Sequence, residues 1–414
     1  MALPAQFAAL GTPAYRNYWL GSAASVGGLQ LLTIAQGWLV FELTHSPLYL
    51  GLLGVAASVP NLVLGFFGGA IADRLDKREV LRATALINAF LMLVLAMLDY
   101  GGAITVMHVL VIAALQSIVS GLDWPTRSAV YPMLIAREHM MSAVALNSIV
   151  WQSTRMVMPA IGGMLLAFTD TWVLFALSAL GMLTMAWVVH RLDIHAPGSK
   201  TATALDHTIE GLRFIRDNRL FLLLLLLAYT TMFFGTSYVS LMPAFSALLG
   251  AGSGGYGILL SATGVGSVLG TIIAGFAQRD ERSGRIMLLC AGAFAPCIIA
   301  FATVALLADV LPGAFALALV FAMAASVISS VFNILSMTIM QLRVPDALRG
   351  RVMGIHGISF SCMSLGAIFT GSMATVIGTP SATIVSASIV LLVVAWVALT
   401  QAVLRDHVEP HAGR

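Results

Sequence analysis

The chain has 414 residues, of which 59% are hydrophobic and only 9% charged, with a mean hydropathy of +0.95. Soluble proteins carry about a quarter charged residues, so composition excludes a soluble domain and defines a polytopic membrane protein. The formal net charge of +3 says little, because the distribution of charge matters more than its sum. Cys290, Cys297 and Cys362 all sit in apolar runs, so no disulfide framework is implied. No short apolar segment with a small-residue cleavage site opens the chain, and no signal peptide is expected.

About 20 apolar residues cross a bilayer as a helix. Twelve runs qualify: 16–41, 47–72, 79–99, 103–123, 139–169, 171–191, 219–249, 254–278, 285–308, 311–342, 348–378 and 381–404. The first connection that breaks the apolar pattern is Gly69–Arg82, which packs seven charges into ten residues and must face water. Placing it in the cytoplasm puts twenty of the twenty-one Lys and Arg residues on that side. The other side then holds Glu42, Asp99, Asp170 and Asp309 and no basic residue. The positive-inside rule asks for this asymmetry, so both termini are expected in the cytoplasm. Arg155 alone falls inside a span.

One long polar segment, 192–219, separates spans six and seven. Leu205, Ile209, Leu212 and Ile215 recur there at helical spacing opposite Asp206, Glu210, Arg213 and Asp217, as in an amphipathic helix at the membrane surface. The expected organisation is a six-helix bundle over 1–191, a cytoplasmic linker over 192–219 and a second bundle over 220–414. Two internal echoes point to duplication. Gly69-x-x-x-Asp73-Arg74 returns as Gly275-Phe-Ala-Gln-Arg279-Asp280, and Met158-Pro159-Ala160-Ile161 returns at nearly the same offset as Leu365-Gly366-Ala367-Ile368. Paired repeats with a shared axis suit a transporter that rocks around a midplane site.

Several long motifs carry a family resemblance. WLVFELTHSPLYLGLLG, GGAIADRLDKREVL, PTRSAVYPMLIAREHMMSAVALNSI, EGLRFIRDNRLF and VPDALRGRVMG resemble the enterobactin-exporter type of the major facilitator superfamily, from Arg16 to about Gly378. The resemblance implies an all-α fold of twelve transmembrane helices in two pseudo-symmetric six-helix bundles. It also implies a bacterial inner-membrane exporter of siderophores, macrolides, drugs or similar amphipathic compounds, drawing on the proton gradient as an antiporter.

Gln116, Ser120, Asp123 and Arg127 share one face of span four. By resemblance, Gly69, Asp73, Arg74, Arg78, Asp123 and Arg127 form a breakable charge lock at the cytoplasmic gate; the alternative is solvated loop charge serving topology alone. Arg155 lies near the middle of span five, where a charge costs about 2.5–3.5 kcal/mol and arginine cannot neutralise itself. No Asp or Glu lies at that depth in any span. Asn147, Trp151 and Arg155 share a face, giving an amide, an aromatic wall and a cation that forks onto carboxylate, phosphate or catecholate oxygens. The alternative is a bundle-steadying role, with Arg155 bonded to backbone carbonyls or to Gln116. Pro159, Gly162 and Gly163 resemble the exporter motif G-P-x-x-G-G, with Met158 where glycine is common; they allow either bending or close helix packing.

Spans one, four, seven and ten line the cavity in the superfamily, which by resemblance makes Gln30, Thr33, Tyr229, Phe233 and Asn333 further substrate-binding candidates. Proton coupling needs a titrating group within the membrane; Asp123 and His356 are the candidates, histidine having an ordinary pKa of about 6.5. Exchange against another anion stays open, as does a lysophospholipid flippase of the same fold. No HExxH, GxSxG or Walker motif and no Cys/His metal cluster appears. No enzyme activity, cofactor, metal or nucleic-acid partner is therefore expected. The expected partners are a small-molecule substrate, protons and the lipid bilayer, with the chain acting as a monomer.

Overall fold

The computed structural model describes residues 5–72, 75–192, 212–278 and 283–400. The described chain is helical throughout and contains no strand, as a lipid environment demands: each backbone N–H and C=O must be paired within its own segment. Twelve long helices follow one another. They are α1 (Pro13–Thr44), α2 (Pro47–Ala72), α3 (Lys77–Tyr100), α4 (Val106–Val130), α5 (Met140–Phe168) and α6 (Thr171–Arg191). Then come α7 (Arg219–Leu248), α8 (Gly252–Ala277), α9 (Ser283–Leu306), α10 (Ala314–Arg343), α11 (Arg349–Ile377) and α12 (Thr379–Thr400).

Eleven of these are long and apolar enough to cross a membrane by composition. The exception is α5, whose 29 residues suffice in length but include Asn147, Gln152, Thr154 and Arg155. Two elements differ from the sequence expectation. The fourth span does not stop at residue 123: it runs on through Pro125 to Val130, because Asp123 and Arg127 are paired inside the protein instead of meeting water. The seventh is not one uniform helix. It is α-helical over Arg219–Thr230, a π-turn over Thr231–Gly235, 3-10 over Thr236–Leu241 and α-helical again over Met242–Leu248. Of the linker's expected amphipathic helix only 212–217 is described; there Ile215 is buried while Leu212 is exposed, and 193–211 lies outside the described residues.

The chain forms two compact units. The first comprises Met1–Thr44 and Ala56–Ala202, the second His45–Val55 and Thr203–Arg414. In the first, α1 and α6 meet along small residues: a Cβ on Gly181 would strike the Ala24 carbonyl, and one on Gly28 would lie 2.9 Å from that of Ser178. In the second, α8 and α10 repeat the device, with Gly266 against the Met323 carbonyl and Gly270 against that of Val327. Ser326 donates across this seam to the Thr263 carbonyl at 2.6 Å, and Ser330 to Ser267 at 3.2 Å. Lipid tails are as apolar as leucine, so close backbone packing and such bonds have to hold helices together.

The echoed segments occupy matching places. On α5, Met158 covers Gly27 of α1, and Gly162 sits against Leu31 and Ile34 of α1. On α11, Gly366 presses on the Phe233 carbonyl in the π-turn of α7, beside the ring cluster of Phe233, Phe234 and Phe369. A Cβ at residue 366 overlaps that carbonyl, so Gly366→Ala is expected to lower stability by about 1–3 kcal/mol or more, as overpacking does. Thermal unfolding of the purified protein in detergent checks this; an unchanged midpoint would mean that α7 gives way freely at its π-turn.

Candidate functional site

The first unit contains a buried polar network that begins at the end of α4. Arg127 Nε donates to Asp123 Oδ2 at 2.5 Å, one helical turn away. Arg127 Nη1 donates to the Ser25 hydroxyl of α1 at 3.0 Å. The other oxygen of Asp123 accepts from Thr84 of α3 at 2.9 Å. The Tyr18 hydroxyl reaches the Arg127 carbonyl at 3.5 Å. Three helices therefore meet on one ion pair, whose side chains are only 11% and 16% exposed. An ion pair this enclosed holds geometry firmly, since removing either partner leaves a buried charge unmatched.

The expected charge lock takes a different form among the described residues. Arg78 does not face Asp123; its guanidinium caps α6, donating to the Val189 carbonyl at 3.3 Å and to the His190 carbonyl. A cation is well placed there, where the last carbonyls of a helix have no partner of their own. Asp76 caps the start of α3 by accepting from the backbone N–H of Arg78 and Glu79. Asp73 and Arg74 lie outside the described residues, as does the side-chain environment of Gly69. Sequence reasoning missed Ser25, Thr84 and Tyr18, which carry no signal until three helices are brought together.

The second feature is Arg155, the sixteenth residue of α5 and about 20 Å from either end at 1.5 Å per residue. Its side chain is exposed and makes no hydrogen bond or ion pair with any described residue. The expected structural partner Gln116 is occupied elsewhere, accepting from Gln36 Nε2 at 3.1 Å between α4 and α1. Asn147 and Trp151, on the same face of α5, are half-buried. Trp151 meets Trp124 of α4 edge-on at 5.1 Å. An amide, two indoles and a guanidinium unpaired among the described residues thus line one partly exposed strip of the first unit. Such a strip suits a planar anionic or aromatic solute, which a guanidinium fork and ring edges both favour.

The remaining candidates scatter. Thr33 is exposed and donates to its own helix at Leu29, and Gln30 is half-buried. Pro159, Gly162 and Gly163 are buried on the packing side of α5. In the second unit Tyr229 donates to the Ile355 carbonyl of α11 at 2.7 Å, and Asn333 bonds back to Ser329 on α10. Phe233 belongs to the π-turn cluster. His356 is 3% exposed, and its Nδ1 has no hydrogen-bond partner.

The described chain is an all-helical membrane protein with the major facilitator fold. The profile of the transmembrane secretion effectors matches residues 4–410, and the chain belongs to that family. It is a multi-pass membrane transporter of a small molecule and not an enzyme. The enterobactin exporter EntS of Shigella flexneri is 25% identical over 381 residues, covering 89% of this chain and 88% of the relative. The staphyloferrin A transporter of Staphylococcus aureus is 26% identical over 249 residues, covering 58% of this chain and 61% of the relative. Among solved structures, a bacterial homologue of the human lysosomal transporter Spinster superposes with a TM-score of 0.72 over the whole of both chains at 13% identity, a likeness of fold alone.

Asp123→Ala is expected to cost about 3–5 kcal/mol by stranding the Arg127 charge. The double change Asp123→Leu with Arg127→Met should recover most of that loss. Unfolding midpoints of the three proteins in detergent decide it; a double variant no more stable than the single one would mean the pair is not the origin of the cost.

Proposed function

We propose that the protein exports an amphipathic, anionic small molecule of the siderophore class across the bacterial inner membrane by alternating access. The observation that carries this reading is Arg155: a guanidinium without a partner among the described residues, at the mid-depth of a helix and flanked by Trp151 and Asn147. A permanent charge in that position is costly unless it serves a ligand or lines water. Catecholate, carboxylate or hydroxamate oxygens accept its paired N–H groups, and the Trp124–Trp151 pair packs against the ligand's rings. The names of the two relatives, an exporter of enterobactin and a transporter of staphyloferrin A, support the same class of cargo and the outward direction. The Lys and Arg asymmetry supports placing both termini in the cytoplasm. In that orientation the Asp123–Arg127–Ser25–Thr84 network sits at the cytoplasmic end of the first bundle, where it braces the gate as the bundle rocks.

The test uses purified full-length protein in proteoliposomes, with enterobactin and staphyloferrin A as probes. Arg155→Ala is expected to reduce transport by about 10- to 100-fold, the loss of one or two charge-assisted hydrogen bonds. Arg155→Lys should retain part of the rate, because it keeps the charge without the fork. Transport by Arg155→Ala equal to that of the wild type, at equal reconstitution and unfolding midpoint, overturns the role of Arg155.

A further inference from the structure

The second unit carries an apolar trough that the substrate reading does not use. Its floor is one side of α9 and the turn that follows, where Pro296, Ala300, Thr303 and Leu307 recur at helical spacing. Phe321 of α10 and Leu391 of α12, the two helices packed against α9, line it from either neighbour. Leu311, in the connection to α10, lines it beyond Leu307. The opposite side of α9, from Phe294 through Ile298 and Phe301 to Ala305, belongs to the buried core. Pro296 and Leu307 are exposed, so the trough opens outward from that core. Its volume is about 450 Å3, within the roughly 300–1,000 Å3 of small-molecule sites.

The chemistry of the lining decides what fills this space. No titratable group lines it, and its one hydroxyl, that of Thr303, donates to the Ile299 carbonyl at 2.7 Å. An ordered water needs about two to four polar partners, and the trough does not offer them. A polyanionic cargo would lose the hydration of its oxygens there and find no donor in exchange. Hydrocarbon meets neither objection, and it restores the dispersion contacts that an empty space forfeits.

Depth narrows the choice further. Pro296 is the fourteenth of the 24 residues of α9, close to the middle of the helix. From there to Leu307 the trough runs about 16 Å at 1.5 Å per residue. A hydrocarbon core of about 30 Å makes that the depth of a single leaflet. A phospholipid acyl chain has this length and this placement, with its head at the membrane surface and its terminal methyl at the centre.

We propose that the trough holds one acyl chain of a phospholipid, with the terminal methyl at Pro296 and the glycerol end at Leu311. The lipid is a resident part of the second unit and not cargo: small residues at positions 300 and 303 leave a space between α10 and α12 that the chain fills. Neither Arg155 nor the nature of the transported molecule enters this inference.

Two measurements on the purified full-length protein test it. In native mass spectrometry, the wild type is expected to keep one phospholipid at collision energies that strip all others. Ala300→Trp fills the trough with an indole and is expected to lose that lipid; Leu391→Trp does so from α12. Leu392→Trp, at a position 70% exposed and outside the trough, should keep it. A wild type with no retained lipid, or trough variants that retain it as the wild type does, overturns the proposal. Unfolding midpoints in detergent show which variants are folded and count. The second measurement uses phosphatidylcholine with a diazirine at the end of one acyl chain, added to delipidated protein and photolysed. Labelling is expected to concentrate several-fold on the α9 segment around Pro296 and to fall when unlabelled phosphatidylcholine is added. Even labelling of all twelve long helices means bulk lipid contact only and overturns the proposal, whatever the variants do.

Discussion

Close approach of helix backbones is the constraint on which this fold depends. In water, apolar faces would drive helices together; in lipid that drive is absent, and contact distance has to supply what solvent does not. Gly28 and Gly181 in one unit, and Gly266 and Gly270 in the other, leave room for a carbonyl of the neighbouring helix where a methyl group would not fit. In the second unit serine hydroxyls add bonds across the seam, Ser326 to the Thr263 carbonyl and Ser330 to Ser267. The matching places of Met158–Gly162 on α1 and of Gly366 on α7 extend this logic across the internal repeat.

With that framework set by small residues, the few charges inside it take distinct roles. Arg127 is spent on structure: its partner lies one turn away and its remaining contact ties α4 to α1. Arg78 satisfies carbonyls at the end of α6. Arg155 has neither duty among the described residues.

Much of the fold was legible in the sequence, because span length and the distribution of basic residues are one-dimensional properties. The twelve apolar runs correspond to twelve long helices, and even the polar α5 was recognisable once its neighbours fixed the count. The breaks in α7 were not read from the sequence, although Gly235-Thr236-Ser237 and Pro243 stand within them; the π-turn lies where Gly366 of α11 meets the Phe233 carbonyl. The candidate site was legible to a lesser degree. Arg155 stood out by composition alone. The pairing of Gln116 with Gln36, residues 80 positions apart, is encoded by no local pattern. The contacts of Arg78 were not legible for a related reason: sequence shows a charge near an acid, whereas the Val189 and His190 carbonyls it binds are the same in every residue.

The polarity of α5 bears on how the protein is made. A nascent segment leaves the insertion machinery sideways into lipid according to its own transfer free energy, and a central arginine adds about 2.5–3.5 kcal/mol against that step. Alone among the twelve long helices, α5 lacks the apolar length to make the step unaided. Its buried side, from Ser142 through Pro159 to Gly163, packs above all against α1, which is made earlier. Biogenesis of the first bundle therefore has an order built into it: α1 must already be seated in the bilayer when α5 emerges, and α5 enters as a client of its own protein.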